Sequence, residues 1–227
     1  MKRLLTFGLL LLGLSAFAGE PFFSTTAPCS LYYERYKAGT TTLTQTTLIE
    51  VTSVSAKAGG GREVKYGLDL KKANGKPIYG GRAHMTVEID PNSDVWMDFG
   101  GAVKSVLLNY FPNAKITASG DRALMPADMK PGDTLPDAHC TVNAGALKVT
   151  VDVTERTVLR REQITVPAGT FDCLVAREHK VEDAPIHHND TWSVTWYAPG
   201  IGYVRHDSYD MKMRLLSSEV LVTRTAK

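Results

Sequence analysis

Charge of either sign in excess is the first thing this sequence lacks. It holds 26 Lys and Arg against 24 Asp and Glu, and the surplus is accounted for by Lys2 and Arg3 at the N-terminus. From residue 19 onward the chain is formally neutral. It therefore lacks the basic footprint that a nucleic-acid binder requires, and the clustered Lys or Arg that draws a protein to an anionic membrane. No nucleic-acid partner is expected. The pairs Lys71-Lys72 and Arg160-Arg161 read as solvated strand or turn positions. Long hydrophobic runs are also missing. The one apolar stretch, Leu4 to Leu14, falls short of the roughly 20 residues that a transmembrane helix needs. Lys2 and Arg3 precede it and Ala16-Phe17-Ala18 follows, an order that predicts a secretory signal peptide over 1–18. The expectation is an exported chain, periplasmic or extracellular, with no integral membrane span once the signal is removed.

Cysteine is scarce: Cys29, Cys140 and Cys173 leave at least one thiol unpaired in a monomer. An oxidising compartment permits one bridge, and any pairing among the three stays open. Cys173 alternates with Phe171 and Val175, so it reads as a small buried hydrophobe.

Catalytic signatures are lacking as well. There is no Gly-x-Ser-x-Gly elbow and no cysteine in a protease context. Gly59-Gly60-Gly61 lacks the Lys-Ser/Thr tail of a phosphate-binding loop. No catalytic, cofactor-binding or metal-binding residue is assigned, and no cofactor is expected.

What is present alternates with period two. Leu147, Val149, Val151 and Val153 share one face while Lys148, Thr150, Asp152 and Thr154 share the other, as in a half-buried antiparallel strand. Thr40–Val54, Glu63–Lys71, Ala83–Ile89, Trp192–Tyr197 and Tyr203–Leu215 read alike. Turn signals such as Asn74-Gly75-Lys76-Pro77 and Pro199-Gly200 separate them. Many short strands with turns between them predict an all-β antiparallel meander forming a barrel, half-barrel or sandwich. Phe99, Val103, Val106, Leu107 and Tyr110 recur at helical spacing, so one short amphipathic helix is expected near 98–110, ended by Pro112. Residues 19–227 are expected to form a single all-β domain.

Three polar or aromatic groups are candidates for more. Glu178-His179 and His187-His188-Asn189-Asp190 supply metal-ligand types, yet they lack the His-x-x-x-His spacing that places two ligands together; an exposed hairpin loop between strands ending near 182 and resuming near 191 is the plainer reading. In Arg205-His206-Asp207, strand geometry sends His206 to the opposite face from its neighbours, leaving a cross-strand ion pair beside a surface histidine. Trp192, Trp196 and Tyr203 would line a groove or fill the core, the commoner fate of such aromatics. Met211, Met213 and Leu215 alternate with Lys212 and Arg214 like a core face.

Two strand-and-turn modules carry a family resemblance: Val166-Pro-Ala-Gly-Thr-Phe-Asp-Cys173 and Trp196-Tyr-Ala-Pro-Gly-Ile-Gly-Tyr-Val-Arg205. With Tyr32-Tyr-Glu-Arg-Tyr36, Met129-Lys-Pro-Gly-Asp-Thr-Leu-Pro136 and Ser217-Ser-Glu-Val220, the sequence resembles the TapB-like family of exported bacterial β proteins. The resemblance implies a YmcC-type half-barrel or barrel and carries over no catalytic residue. The leading expectation is a non-catalytic envelope protein that binds another envelope protein or takes part in an assembly. A carrier of a lipid or other apolar ligand is one alternative. A metal-assisted hydrolase using the 178–190 segment is another.

Overall fold

A computed structural model describes residues 19–185 and 187–226; the 1–18 segment read as a signal peptide lies outside them. Thirteen strands and one helix are found among the described residues. They are β1 (Cys29–Lys37), β2 (Leu43–Ala56), β3 (Arg62–Lys72), β4 (Ala83–Ile89), β5 (Val95–Met97), α1 (Phe99–Tyr110), β6 (Ile116–Gly120), β7 (Ala123–Met125), β8 (Ala138–Ala144), β9 (Leu147–Val166), β10 (Gly169–Ala184), β11 (His187–Ala198), β12 (Gly202–Tyr209) and β13 (Leu215–Ala226). All strands join one antiparallel sheet in the order β6-β8-β9-β10-β11-β12-β13-β1-β2-β3-β4-β5-β7.

The chain path curls this sheet. β6 and β7 form its two opposite edges, yet only Asp121 and Arg122 separate them in sequence. Three Cα steps of about 3.8 Å keep Gly120 within roughly 11 Å of Ala123, so the edges approach each other without pairing. The result is an all-β half-barrel with a single helix. At this corner Gly120 has φ 122°, and a Cβ there would lie 2.1 Å from the His139 carbonyl oxygen. Only glycine tolerates that conformation and that approach.

Helix α1 covers the seam between the two edges. Asp98 caps it, its carboxylate accepting from the Gly101 amide at 2.7 Å. Phe99 and Val103 pack on Cys140, Val151 and Val153 of the β8–β9 arm, while Ser105 Oγ accepts from the His84 amide of β4 at 2.7 Å. Of the helical periodicity read in the sequence, Phe99 and Val103 make this contact, while Val106, Leu107 and Tyr110 line open volume. The main core lies deeper, where Tyr33, Val51, Val64, Val87, Val95 and Leu221 are fully buried.

Three sequence expectations need correction. The strand expected at 147–154 runs on to Val166. The run Tyr203–Leu215 is two strands, because Asp210 accepts from the amides of Lys212 and Arg214, both at 2.9 Å, and turns the chain. Met211 and Met213 therefore sit on a turn, 49% and 47% exposed, rather than on a core face. Cys29, Cys140 and Cys173 are all buried free thiols. Among the described residues no helix is long and apolar enough to cross a membrane.

Candidate functional site: the cleft beneath the helix

The inner face of the sheet, the one covered by α1, carries two unlike surfaces. One is apolar. Val103, Val106 and Leu107 of the helix stand across a cleft of about 790 Å³ from Leu68, Met85 and Val149 of the sheet. Tyr110 and Phe111 at the helix end, and the tip of the β10–β11 hairpin, line its open end. Both aromatics are half exposed.

The cleft ends on two charges. Alternation along β10 sends Glu178, Lys180 and Glu182 inward, and Lys180 Nζ lies 2.7 Å from Glu182 Oε1. Burial works against the ammonium, but the Glu182 carboxylate outweighs it and holds Lys180 above its usual range. Burial likewise works against the Glu182 charge, which Lys180 and then Asn189 keep below the usual carboxylate range.

Beyond them the inner face turns polar. Strand register places Thr195 beside His206, His206 beside Glu219, Glu219 beside Arg35, and Arg35 beside Gln45. This row crosses β11, β12, β13, β1 and β2. His206 Nδ1 is 2.9 Å from Thr195 Oγ1 and Nε2 is 3.3 Å from Ser208 Oγ. Glu219 accepts from Arg35 at 3.0 Å and from Thr47 Oγ1 at 2.6 Å. Burial, reinforced by the Arg35 and Lys180 cations, presses the His206 imidazole down to about 3. A base so hard to protonate is poorly matched to activating Ser208 near neutral pH. The row is a hydrogen-bond network that holds strands together.

The histidines of the 178–190 segment do not converge. Strands β10 and β11 extend to Ala184 and resume at His187, so the expected loop is mostly sheet. Glu178 points inward, 3.6 Å from the Arg156 guanidinium. His179 points outward, 2.7 Å from Asp190 and stacked on Trp192 at 4.9 Å. His188 is at the exposed tip, 3.1 Å from Asp183. Among the described residues, no three His, Cys, Asp or Glu side chains are arranged to hold a metal ion.

Arg205 and Asp207 do share a face opposite His206, but as neighbours on one strand, bonded at 2.9 and 2.7 Å with Asp207 buried. The cross-strand pair and the surface histidine are both corrected. Trp196 is buried beneath the Arg205 guanidinium, 4.7 Å above its ring. Tyr203 stacks on Tyr33 instead, with centroids 4.3 Å apart, so the three aromatics form no common groove. Sequence reasoning missed the cleft, Lys180 and the His206–Glu219–Arg35 row. The one local signal was the inward alternation of Glu178, Lys180 and Glu182.

Comparison with known proteins places this architecture. Residues 31–221 match the model of a family described as DUF3108-like. The chain belongs to that family. A Bacteroides fragilis protein described as exported, with a YmcC-like fold, superposes on this DUF3108-like chain with a TM-score of 0.71 at 23% identity, covering 91% of this chain and 99% of that one. A Parabacteroides distasonis protein described as a lipoprotein gives 0.72 at 19% identity, again over 91% and 99%. At these identities the likeness is one of fold, and it agrees with the YmcC-type half-barrel that the sequence resembles. No curated protein matches the DUF3108-like chain.

Proposed function

We propose that this is an exported, non-catalytic envelope protein that carries a lipid or similar apolar chain in the cleft beneath α1. The cleft carries the reading. Its volume of about 790 Å³ falls among ligand sites, which are concave, mostly apolar and furnished with a few polar groups. Close packing is the rule inside proteins. A cleft held open between a helix and a sheet leaves apolar walls facing water, and an apolar ligand relieves that cost. Lys180 and Glu182, already paired with each other, supply the polar end against which the head of an amphipathic ligand would stop. Export is supported by the signal-like order of 1–18 and by the descriptions of the two structural relatives.

Organic extracts of the protein purified from its host membrane fraction, analysed by mass spectrometry, are expected to contain stoichiometric lipid. A fluorescent fatty-acid analogue is expected to bind saturably, and Val106→Asp to weaken it at least tenfold by placing a charge on the apolar wall. Absence of both lipid and saturable binding in the unmodified protein would overturn the reading.

A further inference from the structure

The meander sends alternate turns to opposite ends of the sheet, and the two ends differ in chemistry. At the end where the cleft opens lie the turns β1–β2, β3–β4, β8–β9, β10–β11 and β12–β13, with the C-terminal end of α1. Six of the seven exposed large hydrophobic side chains among the described residues belong to this end: Leu108, Tyr110, Phe111, Met211, Met213 and Leu216. The seventh, Leu159, lies within β9.

Basic residues scattered through the sequence gather here too. The segments 37–43, 71–81, 144–148, 183–188 and 210–216 hold seven Lys or Arg and two Asp. Lys71 and Lys72 end β3, Lys76 sits in its turn, Lys37 ends β1, and all four are exposed. Asp210 accepts from Arg214 Nε at 2.6 Å and the two charges cancel, which leaves six lysines against Asp183. The opposite turns with up to two flanking strand residues on each side, 55–63, 88–96, 165–170 and 197–203, hold two Lys or Arg, four Asp or Glu and no exposed large hydrophobic residue.

The rim is stitched into one surface. The Ala38 amide donates to the Leu216 carbonyl at 3.1 Å, the Ala73 amide to Thr44 at 3.0 Å, and Tyr110 Oη to the Ile78 carbonyl at 2.8 Å. Asp210 fixes the turn that displays Met211 and Met213, with Met213 held at φ 57°. Met211 and Met213, flanking Lys212, present an apolar tip at an end that also carries the exposed Lys37, Lys71, Lys72 and Lys76. That pairing suits an interface where acyl chains lie beneath anionic headgroups.

We propose that this rim docks on the surface of a bilayer rich in anionic phospholipid, with the mouth of the cleft against the membrane. This surface stands on charge and exposure at the rim, independently of whether the cleft holds a ligand. The purified protein should float with vesicles of phosphatidylglycerol and phosphatidylethanolamine at about 0.1 M salt, partitioning at least tenfold better than with phosphatidylcholine vesicles. About 0.5 M salt should release most of it, a test that needs no variant. Lys71→Glu with Lys72→Glu should lower the partition at least tenfold. Met211→Ser with Met213→Ser should lower it several-fold, and Lys57→Glu at the opposite end should leave it unchanged. The rim variants should still bind the fatty-acid analogue, which separates failure of docking from failure of the carrier reading. Equal partition into the two vesicle types, or indifference to salt and to the lysine reversals, would sink the proposal. So would photocrosslinking from position 213 in intact cells that captures one envelope protein while vesicles stay unbound, since the rim would then be a protein interface.

Discussion

The apolar wall under α1 and the polar row across β11 to β2 occupy the same face of the same sheet, and they answer burial in opposite ways. Along the polar row, each group finds partners close by in the sheet: His206 with Thr195 on the adjacent strand and Ser208 on its own, Glu219 with Arg35 on the adjacent strand and Thr47 one strand beyond. The wall has no such closure. Val149, Leu68 and Met85 face the helix across open volume. The difference shows where the fold spends specificity and where it keeps adaptability. Buried polar groups tolerate one arrangement, whereas an apolar cleft accepts any occupant of suitable shape.

Breaking the polar row should do the most damage. Glu219→Ala leaves Arg35 without its carboxylate and Thr47 without its acceptor, and is expected to cost about 3 kcal/mol in urea unfolding. Affinity for the fatty-acid analogue in the refolded protein should barely move. A loss under 1 kcal/mol would mean that the row is not a structural clamp.

Acid probes the same row without a substitution. Unfolded, the His206 imidazole takes up a proton near pH 6.5; folded, only near 3. The unfolded chain therefore binds more protons between those values, so this share of stability is whole above pH 6.5 and is lost as pH falls towards 3. The expected loss is about 2 kcal/mol between pH 6.5 and 5. His206→Gln should flatten that window, and an unchanged slope would show that the imidazole is more hydrated than its surroundings indicate.

Filling tests the wall. Val149→Phe adds volume into the cleft and should lower analogue affinity about tenfold, roughly 1.4 kcal/mol, with no fall in the urea midpoint. A clear destabilisation would make the wall as tightly packed as the row and erase the contrast. The smallest effect is expected at the lid: Asp98→Ala removes the helix cap and should cost about 1 kcal/mol, with faster release of bound analogue in stopped-flow measurements.

Much of the half-barrel was legible because its cues are local. The Leu147–Val153 alternation, the Ala83–Ile89 strand and the helix at 99–110 are all written within a dozen residues. The Met211–Met213 turn misled because Met-Lys-Met-Arg alternates like a strand, and nothing nearby announces that Asp210 will gather three donors. The cleft and the polar row were illegible for a different reason. His206, Glu219 and Arg35 meet through register across β12, β13 and β1, and a one-residue slip would turn each to the other face. The gathering of basic turns at one end depends likewise on strand direction, so a chain with no net charge from residue 19 onward still folds into a polarised molecule.

The pairing of β1 with β13 has a bearing on timing. Cys29 lies opposite Ala226 in the middle of the sheet, so the central ladder joins residues almost the whole described chain apart. Contacts of such separation form slowly. Until residues 215–226 arrive, β1 and β12 each keep a bare edge and the Glu219–Arg35 pair has no second partner. A chain exported as proposed above gains from that delay while it is still an extended thread: the strand that locks the sheet is the last of those described.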